Sequence, residues 1–539
     1  MSCPGESPSA VRSRPRSALR GGCARRRADV FLLLVATGMA LGVCGCAARK
    51  ITRTLVPAES FATLDHASPF LKVHFRDGRA GVLSAWSVDD SSRTVRGRGR
   101  MLDPNRRPLA EGELTIPLDS VALFETNLVR PSPSIAGLAV ITGISLAITA
   151  YCVANPKACF GSCPTFYVSD GVRPVLQAEG FSASIAPALE ATDVDALWRA
   201  RPGGSTLTVE MTNEALETHV VRSVQVLAAP RPAGARVVRT SDGTYRIAMS
   251  PLEPREARAA EGDCRAALSA LDGDERFSAP DSTNLAAREE IDIDFGALPG
   301  GEVGIVLATR QTLLSTYLVY QALAYLGTNA GRWLASLSSA SPAEGEQVRG
   351  LARELGRIEV EVEESPAVWR TVGHAGETGP LATEVVCVPV PHPPDGSGRF
   401  RLRLARGLWR IDQVALHRLG ARVTPRALRP FRVSSAGRED PDALAALLDS
   451  TRTLVTGPGD RHAIQFRLPE RPETYEYFLE SRGYYMEWMR QEWIAEENPI
   501  AALGMILDPG GTLRRLAPAY ARAEPSAEQA FWNSRYAKP

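Results

Sequence analysis

The stretch Phe400-Arg-Leu-Arg-Leu-Ala-Arg-Gly-Leu-Trp-Arg-Ile411 sets apolar residues against arginines with a period of two. Only an extended strand sends alternate side chains to opposite faces, so Phe400, Leu402 and Leu404 are expected in a core, with Arg401 and Arg403 in water. The regular arginines then read as the wet face of an antiparallel sheet, not as an anion site. The same signature recurs along the chain. Phe70–Phe75, Gly81–Trp86, Arg93–Gly99 and Leu114–Phe124 are short runs joined by turns such as Asp77-Gly78, which points to a small β-barrel or sandwich over residues 46–130. Thr206–Met211, Val220–Leu227, Ala235–Arg239 and Tyr245–Met249, with the turn Ser241-Asp-Gly-Thr244, predict a sandwich-like domain over 158–300. Alternation at Ile358, Val360 and Val362 opens a second one over 357–468.

Helical periodicity breaks this pattern in two places. Gln311–Leu326 places Leu313, Leu314, Tyr317, Leu318 and Leu326 on one broad stripe, and Gly327 stands where a cap belongs. Ser341-Pro-Ala-Glu344 has capping-box spacing for a second helix that should end by Gly356. Residues 301–356 are therefore expected to be a helical insertion. Residues 469–539 are expected to be helical too, with Pro472–Glu497 carrying Tyr475, Phe478, Tyr484, Tyr485, Trp488 and Trp493 on a heavy aromatic face. If exposed, Tyr484, Tyr485 and Trp488 would form a partner or carbohydrate surface. The expected class is α+β, mainly antiparallel β, with small barrel and sandwich-like domains and with inserted and C-terminal helices.

The N-terminus reads as an address. Arg25-Arg26-Arg27 precede Val30–Val43, a charge-then-hydrophobe order typical of a secretion signal, and fourteen apolar residues are short for a bilayer crossing. Val43-Cys44-Gly45-Cys46 resembles the lipobox of bacterial lipoproteins, with Cys46 as the acceptor and residues 1–45 as the removed signal peptide. Cys44 is the poorer acceptor, because Val43 would occupy the position before it, where a small residue is wanted. Several acyl chains on Cys46 would hold the protein durably to a membrane. Ala47 is not the aspartate that retains many lipoproteins in the inner membrane, so the outer membrane is the expected address.

Residues 131–157 are a hydrophobic segment in which Ile135–Ala154 is uncharged and long enough to span a bilayer. Its many small residues equally suit a helix buried in protein or laid against a membrane. Lipidation at Cys46 argues against a simple crossing, since a span at 135–154 would return the remaining 385 residues to the cytoplasm. Just beyond it, Cys159-Phe-Gly-Ser-Cys163 can close as a short disulfide in an oxidising compartment, with Gly161 easing the turn. Free thiols are the next reading, and redox or metal chemistry the last. A thioredoxin-type centre would need Cys-x-x-Cys at a helix start, and zinc two further ligands.

Little else carries chemistry. The seven histidines stand singly, and neither a nucleophile elbow, a phosphate loop nor a zinc-protease motif occurs. Neither a catalytic residue, a metal ligand nor a cofactor is assigned. Gly457-Pro-Gly-Asp460 reads as a turn. The pairs Asp193/Asp195 and Asp292/Asp294 would each share a strand face, and are expected at solvated edges. Removing the +5 of residues 1–45 from the chain's +1 leaves −4, which is no footprint for phosphate backbones, so nucleic acid is not an expected partner.

The segment Asn155-Pro-Lys-Ala-Cys-Phe-Gly-Ser-Cys-Pro-Thr-Phe-Tyr167, with Asp170-Gly171, Ala178–Ser182 and Met211-Thr-Asn-Glu214, resembles uncharacterised bacterial lipoproteins that share this cysteine segment. The resemblance implies an envelope lipoprotein and brings no activity with it. The expectation is a lipid-anchored cell-envelope protein that binds or scaffolds. Its partners would be the membrane, through the lipid and residues 135–154, and a protein or glycan. The alternative is a glycan-binding module or a carbohydrate-active enzyme.

Overall fold

The computed structural model describes residues 49–103, 108–131, 164–330, 350–390, 397–487 and 496–535, apart from 183, 186, 216 and 377. Cys46, Cys159, Cys163, Trp488 and the segment 135–154 lie outside the described residues. Among the described residues, no helix is long and apolar enough to cross a membrane. The class is as expected: α+β, dominated by antiparallel sheet.

Residues 49–131 form one six-stranded antiparallel sheet, ordered Arg49–Pro57, Val121–Pro131, Phe70–Phe75, Ala80–Asp89, Thr94–Leu102, Pro108–Pro117. Its end strands do not pair with each other among the described residues, so it is an open half-barrel. Its inner face buries Leu71, Val73, Leu83, Val95, Ile116 and Phe124.

The rest of the strands build four sheets stacked as layers. The first layer runs Arg438–Glu439, Pro430–Ser435, Arg461–Arg467, Thr206–Thr212, Thr165–Ser169, Pro174–Glu179. The second runs Arg426–Leu428, Glu217–Pro230, Tyr475–Glu487, Ala191–Ala196, with Leu454–Thr456 also on Glu217–Pro230. The third is Arg236–Arg239, Tyr245–Leu252, Trp409–Val423, Val303–Gln311, Glu384–Val390. The fourth is Gly262–Asp263, Glu256–Ala259, Arg288–Ala297, Ser397–Ala405, Ile358–Ser365, Val368–Ala375.

Three cores separate these four layers. Phe166, Val209 and Met211 of the first meet Val224, Val226 and Leu479 of the second. Leu227, Ala229 and Phe478, on the other face of the second, meet Val306, Ala308 and Val385 of the third. Ile305, Leu307 and Val388, on the third layer's far face, meet Ile293, Phe400 and Leu402 of the fourth. The two inner layers are therefore apolar on both faces, which for a strand means a continuous rather than an alternating run. Strand Val303–Gln311 shows it: residues 303 to 310 are all buried.

Helices fill the margins. The helix α1, Leu314–Leu326, forms where its stripe predicted and ends at Gly327, whose φ of 51° marks the turn out. The helix α2, Gly350–Leu355, ends at Gly356 as expected. The helix α3, Pro441–Leu448, starts at Asp440, whose carboxylate accepts from the Ala443 N–H at 2.9 Å. The helices α4, Pro499–Leu507, and α5, Pro509–Arg535, close over the outer core through Met505, Leu513 and Tyr520.

Four sequence expectations are corrected here. Phe400, Leu402 and Leu404 are fully buried as alternation required, but Arg410 of the same stretch is buried too, at 8% exposure, and is no part of a wet face. The helical insertion 301–356 begins with the central strand Val303–Gln311. Within the expected helix Pro472–Glu497, Tyr475–Glu487 is instead a strand paired along its length with Glu217–Pro230. Its aromatic residues looked like one helical face because they serve two cores, Tyr477 and Leu479 on one side and Phe478 on the other. The linear division at 158–300, 357–468 and 469–539 is also crossed, since Thr206–Thr212 pairs with Arg461–Arg467.

Phe478 is fully buried between the second and third layers and packs edge-on to Tyr245 at 4.9 Å between ring centres. Replacing it with alanine is expected to cost about 3–5 kcal/mol of stability, read as a lowered urea midpoint.

Candidate functional site

The core between the second and third layers gives out at one edge into a cavity of about 460 Å³. Its apolar wall continues that core, with Ala196, Leu271 and Val385. Its polar wall contains Gln177, Trp198, Arg310, Arg410 and Asp412.

Two of these residues owe their direction to broken strand register. In the first layer Phe166 pairs with Ala178 but Tyr167 with Leu176, so Gln177 is an extra residue that no partner opposes. In the third layer Ala308 pairs with Gln413 and Thr309 with Ile411, which leaves Asp412 as the extra residue. A bulge re-aims a side chain that regular pleating would send elsewhere. Here two bulges in two different layers bring an amide and a carboxyl to the same cavity, each only 4% exposed.

Both groups are held. Gln177 Oε1 accepts from the Arg199 N–H at 2.9 Å, which fixes the amide's orientation. Its Nε2 finds no acceptor among the described residues, nor does Trp198 Nε1. A buried donor left unsatisfied costs about 1–3 kcal/mol, so two in one cavity wall need a reason. Asp412 Oδ1 accepts from the N–H groups of Asp272 and Gly273 at 3.1 and 3.0 Å. Burial pushes this carboxyl above its ordinary range, and the nearby Glu275 and Asp272 add to the rise.

Two of the cavity's arginines face Glu275. Arg310, 2% exposed, donates from Nε to Glu275 at 2.6 Å and from Nη1 to the Pro380 carbonyl at 2.9 Å. Arg410 stacks on Phe277 at 3.8 Å from the ring centre, with its Nη1 at 3.9 Å from Glu275. Trp198 is covered on one face by Arg236, at 4.1 Å. The loop 271–275 is pinned by the residue after it. Arg276 bridges to Ile411 and forks onto Glu289 at 2.9 and 2.8 Å.

A cluster of carboxylates lies nearby. Asp195 sits on the strand Ala191–Ala196, on the face opposite Val194 and Ala196, and is 5% exposed instead of solvated as its pair with Asp193 suggested. Its Oδ2 has no partner among the described residues. Burial, then the charges of Asp193, Glu384 and Glu179, push its carboxyl well above the ordinary range, with Arg239 opposing. Glu179 accepts from the Leu381 and Ala382 N–H groups at 2.8 and 3.3 Å. Gly379 admits this approach, since a Cβ there would stand 2.2 Å from the Glu179 carboxyl carbon. The other pair is structural: Asp292 accepts from Arg401 at 2.7 Å, and Asp294 accepts from the Gly296 N–H at 2.6 Å.

Other sequence candidates resolve differently. Tyr484 and Tyr485 are 4% and 7% exposed, and Tyr485 donates to the Ser182 carbonyl at 3.1 Å, so neither offers an exposed aromatic surface. Cys264 and Cys387 are buried free thiols, pushed up to about 11 and about 12 by burial, which makes them poor nucleophiles. Ser435 Oγ lies 2.7 Å from both His462 Nδ1 and Asp440. A hydrolytic triad needs the histidine between the other two, whereas here the serine is between them and the group caps α3. Among the described residues, no three histidine, cysteine or acidic side chains converge as a metal site.

Sequence reading missed Gln177, Trp198, Arg310 and Asp412 as a group. The one available signal was Arg310 closing the apolar run Val303-Gly-Ile-Val-Leu-Ala-Thr, where a charge ends a doubly buried strand.

The Asp195 carboxyl binds its proton more tightly folded than unfolded. Its stabilising contribution is therefore present at acid pH and falls away as pH rises from the ordinary carboxylate range through the raised folded value. Asp195→Asn, which buries no charge beside Asp193, Glu179, Glu384 and Arg239, is expected to melt at least about 2 °C above wild type at pH 8. The gap should close towards pH 4 in a series of thermal melts.

No family model matches the chain, and no curated protein or solved structure matches it either.

Proposed function

We propose that this chain is a lipid-anchored envelope protein whose layered body binds a small polar solute in the cavity between its second and third layers. The cavity carries the binding half of this reading. Two bulges in different layers aim buried polar side chains at one space, and two N–H donors in its wall have no acceptor among the described residues. Packing alone rewards neither feature, whereas a bound solute with oxygen atoms rewards both.

The anchoring half rests on the Arg25-Arg26-Arg27 and Val30–Val43 signal pattern and on Val43-Cys-Gly-Cys46. The mature domain then begins within a few residues of the lipid, because the half-barrel's first strand starts at Arg49. No catalytic step is assigned: the titrating groups of the cavity are engaged by neighbours, Glu275 by Arg310 and Asp412 by two backbone N–H groups.

Cells fed an alkyne fatty acid and expressing the full chain are expected to yield a labelled protein, and Cys46→Ala an unlabelled one of higher mass that retains residues 1–45. Wild type without label, or equal label in the variant, would sink the anchor.

A further inference from the structure

We infer that the solute taken by this cavity is a neutral carbohydrate of one or two sugar rings, a reading that rests on the cavity's being a binding site at all. Four observations carry it.

The first is charge balance. Arg199, Arg310 and Arg410 face Asp274, Glu275 and Asp412 in one cavity, three positive groups against three negative. A wall with no net charge gives an ionic ligand of either sign little advantage, while its loss of hydration still has to be met.

The second is the mixture of donors and acceptors. Gln177 Nε2 and Trp198 Nε1 are buried donors of two lining residues that find no acceptor among the described residues. Asp412 Oδ2 is an acceptor that receives no hydrogen bond from the described residues, its Oδ1 taking both backbone N–H groups. A hydroxyl both donates and accepts, so neighbouring hydroxyls of one ring answer this mixture. A carboxylate or phosphate ligand supplies acceptors alone.

The third is the aromatic wall. Trp198 is half-buried and lines the cavity, and Arg236 covers one face of its ring. A ring that stacks with a cation on one face suits an apolar neighbour on the other. The C–H face of a sugar ring is such a neighbour and is drawn to the negative face of an indole. The fourth is preorganisation. The Arg199 N–H holds the Gln177 amide, two backbone N–H groups hold Asp412, and Arg276 pins the loop between them, so little order has to be bought on binding.

The test is isothermal titration of the full chain in detergent. The probes are D-glucose, D-galactose, N-acetyl-D-glucosamine and their β-1,4-linked disaccharides, with citrate as the anionic probe. At least one saccharide is expected to bind and citrate not to. Trp198→Ala and Asp412→Asn should each weaken that binding by about tenfold or more. Thr383→Trp, which fills the cavity from its wall, should abolish it, and it serves as the deciding variant if Asp412→Asn melts early. Citrate binding without any saccharide would overturn the carbohydrate assignment and leave the cavity as a binding site. Silence from every probe would overturn both readings. Saccharide binding untouched by Trp198→Ala and Thr383→Trp would place it elsewhere and overturn this inference.

Discussion

The contact between the second and third layers is what the rest of the body depends on. Leu227, Ala229 and Phe478 from one sheet meet Val306, Ala308 and Val385 from the other, and each of these sheets has a further partner on its outer face. A sheet that faces water on one side needs a single apolar face. These two need both, and that requirement explains the run Val303-Gly-Ile-Val-Leu-Ala and the aromatic density of Tyr475–Tyr485. The outer sheets keep one face for solvent, and their arginines stand there in ion pairs: Arg401 pairs with Asp292 and Arg403 with Glu359 on the fourth layer's outer side.

The cavity follows from the same contact. Where the inner core runs out, the two sheets still face each other but the side chains change from valine and alanine to arginine, glutamate and aspartate. Ala308 is followed two residues on by Arg310, and Val385 is preceded by Thr383. The bulges at Gln177 and Asp412 are the local means by which two strands with good apolar pairing place a polar group at that edge without losing their register elsewhere.

Elements with one wet face were legible in the sequence, whereas two with none, Val303–Gln311 and Tyr475–Glu487, were not. Phe400–Leu404 and Thr206–Met211 were found because alternation with arginine or threonine has a period of two. The helix α1 was found because its stripe has a period near 3.6 and Gly327 ends it. Val303–Gln311 and Tyr475–Glu487 failed for a shared reason: a strand buried on both faces and a buried helix show the same uninterrupted hydrophobicity. The site was less legible still. Its members come from positions 177 to 412, and a bulge is a property of the pairing between two strands, visible in neither strand alone. Asp195 was seen as half of a pair but placed in water, because the neighbours that surround it, Glu179 and Glu384 among them, belong to other sheets.

The strand order has a consequence for how the chain is made. The first two layers take their strands from Thr165–Pro230 and again from Arg426–Glu487, and every strand of the third and fourth layers falls between Arg236 and Val423. One sandwich is thus nested inside another. During synthesis the nested sandwich has all of its strands while the outer one still lacks Tyr475–Glu487, the strand on which both Glu217–Pro230 and Ala191–Ala196 lie. The half that is made first is the half that closes last, so its open edges must be kept apart from other chains until nearly the whole polypeptide has been made.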